Sequence, residues 1–114
     1  MSMLLKPRRL DDIVILDISG RITIGEGTLI IRETIRRLLE AGDSKFILNL
    51  ADCDYIDSSG LGELVTSFTT VRNAGGNLKL LSLTHRVRDL LQITKLLTVF
   101  ESFESESEAV KSLK

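Results

Sequence analysis

The 114-residue chain has one cysteine, one proline, one histidine and no tryptophan, and aromatic residues make up only 4% of it. A lone cysteine, Cys53, excludes an internal disulfide and suits a reducing compartment. With one thiol and one imidazole, the ligand spacings of known metal sites are missing, so Asp52, Cys53 and Asp54 read as an acidic turn and His85 as a solvated residue in the first turn of a later helix. No stretch approaches the roughly 18 consecutive apolar residues of a membrane-spanning helix, and Met1 to Arg9 lack the apolar core of a signal peptide. A soluble, cytoplasmic protein without membrane insertion is expected. The formal net charge is −1, which gives no global attraction to nucleic acid or anionic lipid. The few aromatic residues fall mostly at core-like positions instead of interleaving with the arginines, so no direct nucleic-acid binding is expected. A Gly-x-x-x-x-Gly-Lys phosphate loop and a Gly-x-Ser-x-Gly elbow are both missing, which argues against a nucleotide hydrolase and a serine hydrolase. The chain is expected not to be an enzyme.

What is present is an ordinary globular balance of 43% hydrophobic and 27% charged residues. A chain of this length buries about two-thirds of the surface its unfolded form exposes, so one domain over residues 1–114 is expected, with no repeat or long linker. Met3 to Leu10 and Ile13 to Ser19 read as strands around a tight Asp11-Asp12 turn, and Pro7, which lacks an N–H for a ladder bond, puts the first at a sheet edge. Ile31, Ile35, Leu38 and Leu39 mark a helix from about Thr28 to Ala41, ended by Gly42. A strand at Lys45 to Leu50 leads to a helix at Ser59 to Asn73, then a strand at Asn77 to Leu83 and a helix at His85 to Gln92. A short strand at Thr98 to Phe100 precedes a last helix opened by Ser105-Glu106-Ser107-Glu108, a capping-box pattern. Alternating strands and helices need crossovers, which predicts an α/β fold. Its sheet of four to five mostly parallel strands carries an antiparallel N-terminal hairpin and about four helices, on one face or on both.

The most informative stretch is Asp57-Ser58-Ser59-Gly60-Leu61-Gly62-Glu63, where a buried strand hands over to an amphipathic helix with Leu61, Leu64, Val65, Phe68 and Val71 on one face. Asp and Ser are preferred helix N-caps and the glycines relax a tight turn, which is a sufficient structural reason for all of them. The same turn also suits modification: free backbone N–H groups and the positive end of the helix dipole favour a phosphate on either serine.

This motif, the preceding strand ending Leu48-Asn49-Leu50, the following Asn73-Ala74-Gly75-Gly76, the Gly20-Arg21-Ile22 turn after the second strand and the strand Leu78-Lys79-Leu80-Leu81 together resemble the STAS domain, most closely its free-standing anti-sigma factor antagonists. The resemblance spans nearly the whole chain. It implies that Ser58, the first serine of the motif, is phosphorylated by a partner kinase; Ser59 is the second candidate and the better placed for capping. It also implies a protein-binding module that holds an anti-sigma factor, itself a serine kinase using ATP and magnesium, while Ser58 is unmodified, and releases it on phosphorylation. A metal-dependent serine phosphatase would restore the serine, and the chain itself would need no cofactor. Asp57, Ser58, Leu61 and Gly62, with the Arg21-Ile22-Thr23 loop, form the expected recognition patch. Thr23 departs from the family pattern, since many antagonists carry aspartate there, beside the phosphorylatable serine. Two other readings remain: a non-switching STAS subunit of a lipid-transport or signalling assembly, and a small-ligand sensor.

Overall fold

The structure, a computed structural model, describes residues 3–114. Its elements run β1 (Met3–Leu10), β2 (Ile13–Ile22), α1 (Glu26–Glu40), β3 (Lys45–Ile56), α2 (Ser58–Asn73), β4 (Asn77–Leu81), α3 (His85–Ile93), β5 (Ser102–Phe103) and α4 (Glu106–Ser112). The five strands lie in the order β1-β2-β3-β4-β5. β1 pairs antiparallel with β2, with Pro7 on this edge strand opposite Leu16, and every later pairing is parallel. The expected α/β architecture with its N-terminal hairpin is therefore present.

Periodicity left open which faces the helices cover, and topology answers it. The parallel strands are added in one direction, so right-handed crossovers bring α1, α2 and α3 to the same face of the sheet. The main core lies there: Val14, Leu16 and Ile18 of β2, Phe46, Leu48 and Leu50 of β3, and Leu78 and Leu80 of β4 meet Ile31, Ile35, Leu64, Val71, Val87 and Leu91 from the three helices. The alternate residues Ile13, Ile15, Ile47 and Leu81 point the other way, where Ala109, Val110 and Leu113 of the α4 segment cover them. Period-two alternation thus sends two apolar sets to opposite faces.

Four strands differ in their bounds from the sequence reading, each for a physical reason. β2 does not stop at Ser19 but continues through Gly20 to Ile22, with register shifts around Gly20, whose φ of 93° is natural only for glycine; the expected turn is a bulge within the strand. β3 likewise runs on to Ile56, because Asp52, Cys53, Tyr55 and Ile56 pair with the extended end of β2. The acidic turn is thus strand, with Asp52 and Asp54 outward and Cys53 fully buried. β4 ends at Leu81, since Ser82 turns into the left-handed region at φ 58°. The last strand is Ser102–Phe103 and not Thr98 to Phe100. Phe100 instead packs edge-on against Phe68 with ring centroids 5.3 Å apart, while the Leu80 and Ser82 N–H groups donate to the carbonyls of Glu101 and Phe103.

α1 begins two residues before the expected Thr28, at Glu26 after Gly25. Gly27 is buried in this first turn, and a Cβ there would meet the Arg21 carbonyl oxygen at 3.5 Å, an ordinary contact, so a small side chain fits. In the last helix Ser105 caps as expected, Glu108 N–H donating to Ser105 Oγ at 3.5 Å.

Candidate functional site

The long parallel ladder between β2 and β3 carries the ends of both strands to one corner of the molecule. There the β2–α1 loop and the β3–α2 turn lie side by side, which sets Arg21 opposite Tyr55, Ile22 opposite Ile56 and the Ile24 amide against Asp57. Asp57 joins them. It is the N-cap of α2, its Oδ1 accepting the Gly60 N–H at 2.7 Å, while its Oδ2 accepts the Ile24 N–H at 3.1 Å across the loop. Its own N–H donates to the Ile22 carbonyl at 3.2 Å. One carboxylate therefore satisfies a free helix donor and fastens the neighbouring loop. The capping role expected of Ser59 belongs to Asp57, because an N-cap must precede the first helical residue and Ser58 already lies within the helix.

Gly60 is fixed by close approach. A Cβ there would collide with the Ile22 carbonyl oxygen and lie 2.9 Å from both Ile22 Cγ2 and Ile56 Cγ1. Gly62, two residues on, faces open space.

Ser58 is exposed at the first position of α2, and Ser59 is half-buried. Arg21 and Gly62 are exposed and Thr23 is half-buried. Leu61 and Ile22, named with them in the expected patch, have their side chains in the core at 5% and 0% exposure. Helix and strand periodicity both turn them inward. The exposed apolar surface beside the turn comes from residues the sequence did not single out: Ile24 at 74% in the loop and Ile93 at 78% at the end of α3.

A pocket of about 750 Å³ opens beside Ser58, lined by Tyr55, Ile56, Asp57, Ser58, His85, Arg86, Asp89, Leu90 and Ile93. Its far wall is α3, whose N-cap Thr84 takes the Val87 N–H at 3.4 Å and donates its own hydroxyl to the Cys53 carbonyl at 3.1 Å. His85 is the exposed first residue of α3, as expected, and shares this pocket with Ser58, but among the described residues no hydrogen bond joins the two. The Tyr55 ring has the Arg21 guanidinium 4.5 Å and the Arg86 guanidinium 5.3 Å from its centroid. No local sequence signal predicts this grouping, because the contributing residues lie on β2, β3 and α3.

Cys53 lies beneath the corner, its thiol donating weakly to the Tyr55 carbonyl at 3.5 Å. Burial pushes its pKa up, which keeps it a neutral thiol at physiological pH. Among the described residues no group of three or more His, Cys, Asp or Glu side chains is arranged to hold a metal ion, and no helix is long and apolar enough to cross a membrane.

The chain matches the model of the STAS domain family over residues 5–109. It is 36% identical over 85 residues to the anti-sigma-B factor antagonist of Bacillus subtilis, covering 75% of this chain and 76% of that protein. Among solved structures, a Thermotoga maritima protein described as a candidate anti-sigma factor antagonist superposes with a TM-score of 0.88 at 27% identity, over 96% of this chain and 93% of that one. The antagonist SpoIIAA in its unphosphorylated form gives a TM-score of 0.81 at 21% identity, over 96% and 95% of the two chains, and so shares the fold. With the strand order, the helix arrangement and the family match in agreement, the chain belongs to the STAS domain family, where the curated relatives it matches are named as anti-sigma factor antagonists.

Proposed function

We propose that this protein is a phosphorylation-switched anti-sigma factor antagonist whose STAS domain spans residues 1–114. With Ser58 unmodified it binds an anti-sigma factor and so frees the sigma factor for transcription. The observation that carries this reading is the exposed Ser58 hydroxyl at the head of α2, beside an Asp57 carboxylate already committed to two backbone N–H groups, in a chain whose relatives are named antagonists. The serine is accessible to a kinase, and its surroundings do not depend on its hydroxyl. The switching step transfers the γ-phosphoryl group of ATP to Ser58 Oγ: the new O–P bond forms as the bond to ADP breaks, and the hydroxyl proton leaves to the kinase or to solvent. The anti-sigma factor is proposed to be that kinase, supplying ATP and magnesium, and a serine phosphatase would hydrolyse the ester back to serine and phosphate. Arg21, Thr23, Asp57, Ser58 and Gly62 supply the recognition patch, Ile24 adds apolar surface, and Leu61 and Ile22 act by packing the turn from below.

A phosphoserine adds about −1.5 to −2 charge at neutral pH. A helix N-terminus accommodates that group, whereas a packed partner surface would have to desolvate it. The test is a pull-down with and without ATP followed by phosphosite mapping. Recovery of a kinase-like anti-sigma factor and modification of Ser58 is the expected result. Ser58→Ala should keep the partner and resist release, and Ser58→Asp should bind more weakly. Exclusive labelling of Ser59, or stoichiometric labelling persisting in Ser58→Ala, would refute the assignment. Copurification of transport subunits would favour the scaffold reading instead.

A further inference from the structure

Two cations at the Ser58 corner, Arg21 of the recognition patch and Arg86, which has no part in the reading above, share one aromatic ring. The eight ion pairs among the described residues involve Arg8 twice, Arg9, Arg32, Lys45, Lys79, Arg88 and Lys114, but neither Arg21 nor Arg86. Both guanidiniums rest beside the Tyr55 ring instead of on a carboxylate. An arginine held against an aromatic ring keeps its in-plane N–H donors available, and that planar fork matches phosphate oxygens two at a time. Arg86 lines the same pocket as Ser58. Two carboxylates also face this pocket, and they do not act alike: Asp57 is engaged by the Ile24 and Gly60 N–H groups, and Asp89 lies one turn along α3 from Arg86.

We propose that the phosphoryl group on Ser58 docks on Arg86 within the same chain, with Arg21 reinforcing the positive field, His85 offering a ring N–H donor from the pocket wall, and Asp57 and Asp89 opposing it. The phosphorylated form is then a distinct arrangement in which α3 is bridged to the head of α2 through the phosphate, and Arg86 is withdrawn from the surface a partner meets. No bond is made or broken in this docking. It rests on Ser58 being the modified residue, and deepens that reading by naming what receives the mark.

The experiment installs phosphoserine at position 58 by genetic encoding, without any kinase, and follows the phosphate by phosphorus NMR through a pH titration. In the folded wild-type chain the second phosphate pKa should fall at least about half a unit below its value of about 6 in the same chain unfolded in denaturant. Arg86→Ala should remove most of that shift, Arg86→Lys should keep part of it, and Arg36→Ala, on α1 outside the pocket, should leave it unchanged. The series is repeated in a His85→Ala background, because that imidazole lines the same pocket as Ser58. An unshifted phosphate in the wild type, an equal shift with and without Arg86, or a shift abolished by His85→Ala alone each overturns the proposal. None of these outcomes touches the modification reading, which fails separately if the partner kinase does not label Ser58.

Discussion

Asp57 shows how one side chain sets both a local structure and a tertiary contact. The sequence places it correctly at a strand-to-helix junction, yet the motif points to Ser59 as the better cap, because Asp57, Ser58 and Ser59 are all good capping residues and spacing alone does not fix the first helical residue. The backbone makes the choice: Asp57 is extended at φ −97° and ψ −179°, and the next residue is already helical. Asp57→Ala is expected to cost about 1–2 kcal/mol in denaturant unfolding and to speed hydrogen exchange at the Ile24 amide. Asp57→Asn should keep most of both. Ser59→Ala should stay within about 0.5 kcal/mol, and a larger loss there than in Asp57→Ala would show that the cap is wrongly assigned. Gly60→Ala should cost about 1–3 kcal/mol or more through overpacking, since the atom it meets is the Ile22 backbone oxygen and not a flexible side-chain end.

The pairing of α1 with α2 contains the least legible contact in the sequence. Glu63 reads as a surface residue, as most glutamates do, yet its side chain is 2% exposed. One oxygen accepts both Nε (3.1 Å) and Nη2 (2.8 Å) of Arg32, and the other accepts the Ser67 hydroxyl at 3.0 Å. The i, i+4 spacing of Glu63 and Ser67 is visible in the sequence, but Arg32 lies 31 residues away on another helix. Removing Arg32 leaves a buried carboxylate with one hydroxyl partner, so Arg32→Ala should cost about 1–3 kcal/mol, above the range of an exposed pair. A double-mutant cycle with Glu63→Gln should give a coupling of at least about 0.5 kcal/mol. Additive losses would mean that the pair does not hold the two helices together. The apolar stripes of α1 and α2, by contrast, were readable directly, because burial of one face imposes the three-and-four spacing.

Across the whole molecule, ion pairs link the N-terminal hairpin to distant segments. Arg9 meets Asp43 at 2.6 Å in the turn after α1, Arg8 bridges Asp17 and Glu106, and Lys114 reaches Asp11 at 2.9 Å. The Arg9 hydrogen bonds hold the Asp43 carboxyl below its usual range, and those of Arg8 do the same for Glu106. Burial works against the charge on Asp17, but Arg8 and Asn49 outweigh it and lower this carboxyl too. Carboxyls held low when folded contribute stability that is fully present above their unfolded values of about 3.9 and 4.3, and lost as pH falls through the folded ones. Stability should therefore be level near neutrality and fall below about pH 4. Asp43→Asn should flatten part of that acid limb, and an unchanged acid limb would count against the assignment. Phosphorylation of Ser58 should act differently. The helix dipole favours the phosphate by about 0.3–1 kcal/mol and Asp57 opposes it, so unfolding free energy should move little. Partner binding should weaken by more than tenfold, since an unpaired charge in an interface costs about 2–5 kcal/mol. Calorimetric binding and denaturant unfolding of the two forms at one ionic strength check this, and weakening that came only through melting of the domain would contradict it.

Element identity and order were fixed by local physics. Branched apolar runs, three-and-four apolar spacing, capping residues and glycine stops located the four helices and the first four strands, and their alternation required a mostly parallel sheet. The motif at Asp57 to Gly62 was visible because strand-to-helix turns restrict which residues fit. The ends of β2 and β3 were not, since Gly20 and the acidic Asp52 and Asp54 look like breaks unless their partner strands are known. Strand order and the right-handed crossovers put three helices on one face, and α4 covered the other. Only long-range pairing could gather Ile24 onto Asp57, Arg21 and Arg86 onto Tyr55, and α3 beside Ser58, because these contacts depend on where distant segments meet, and local sequence preference carries no record of that.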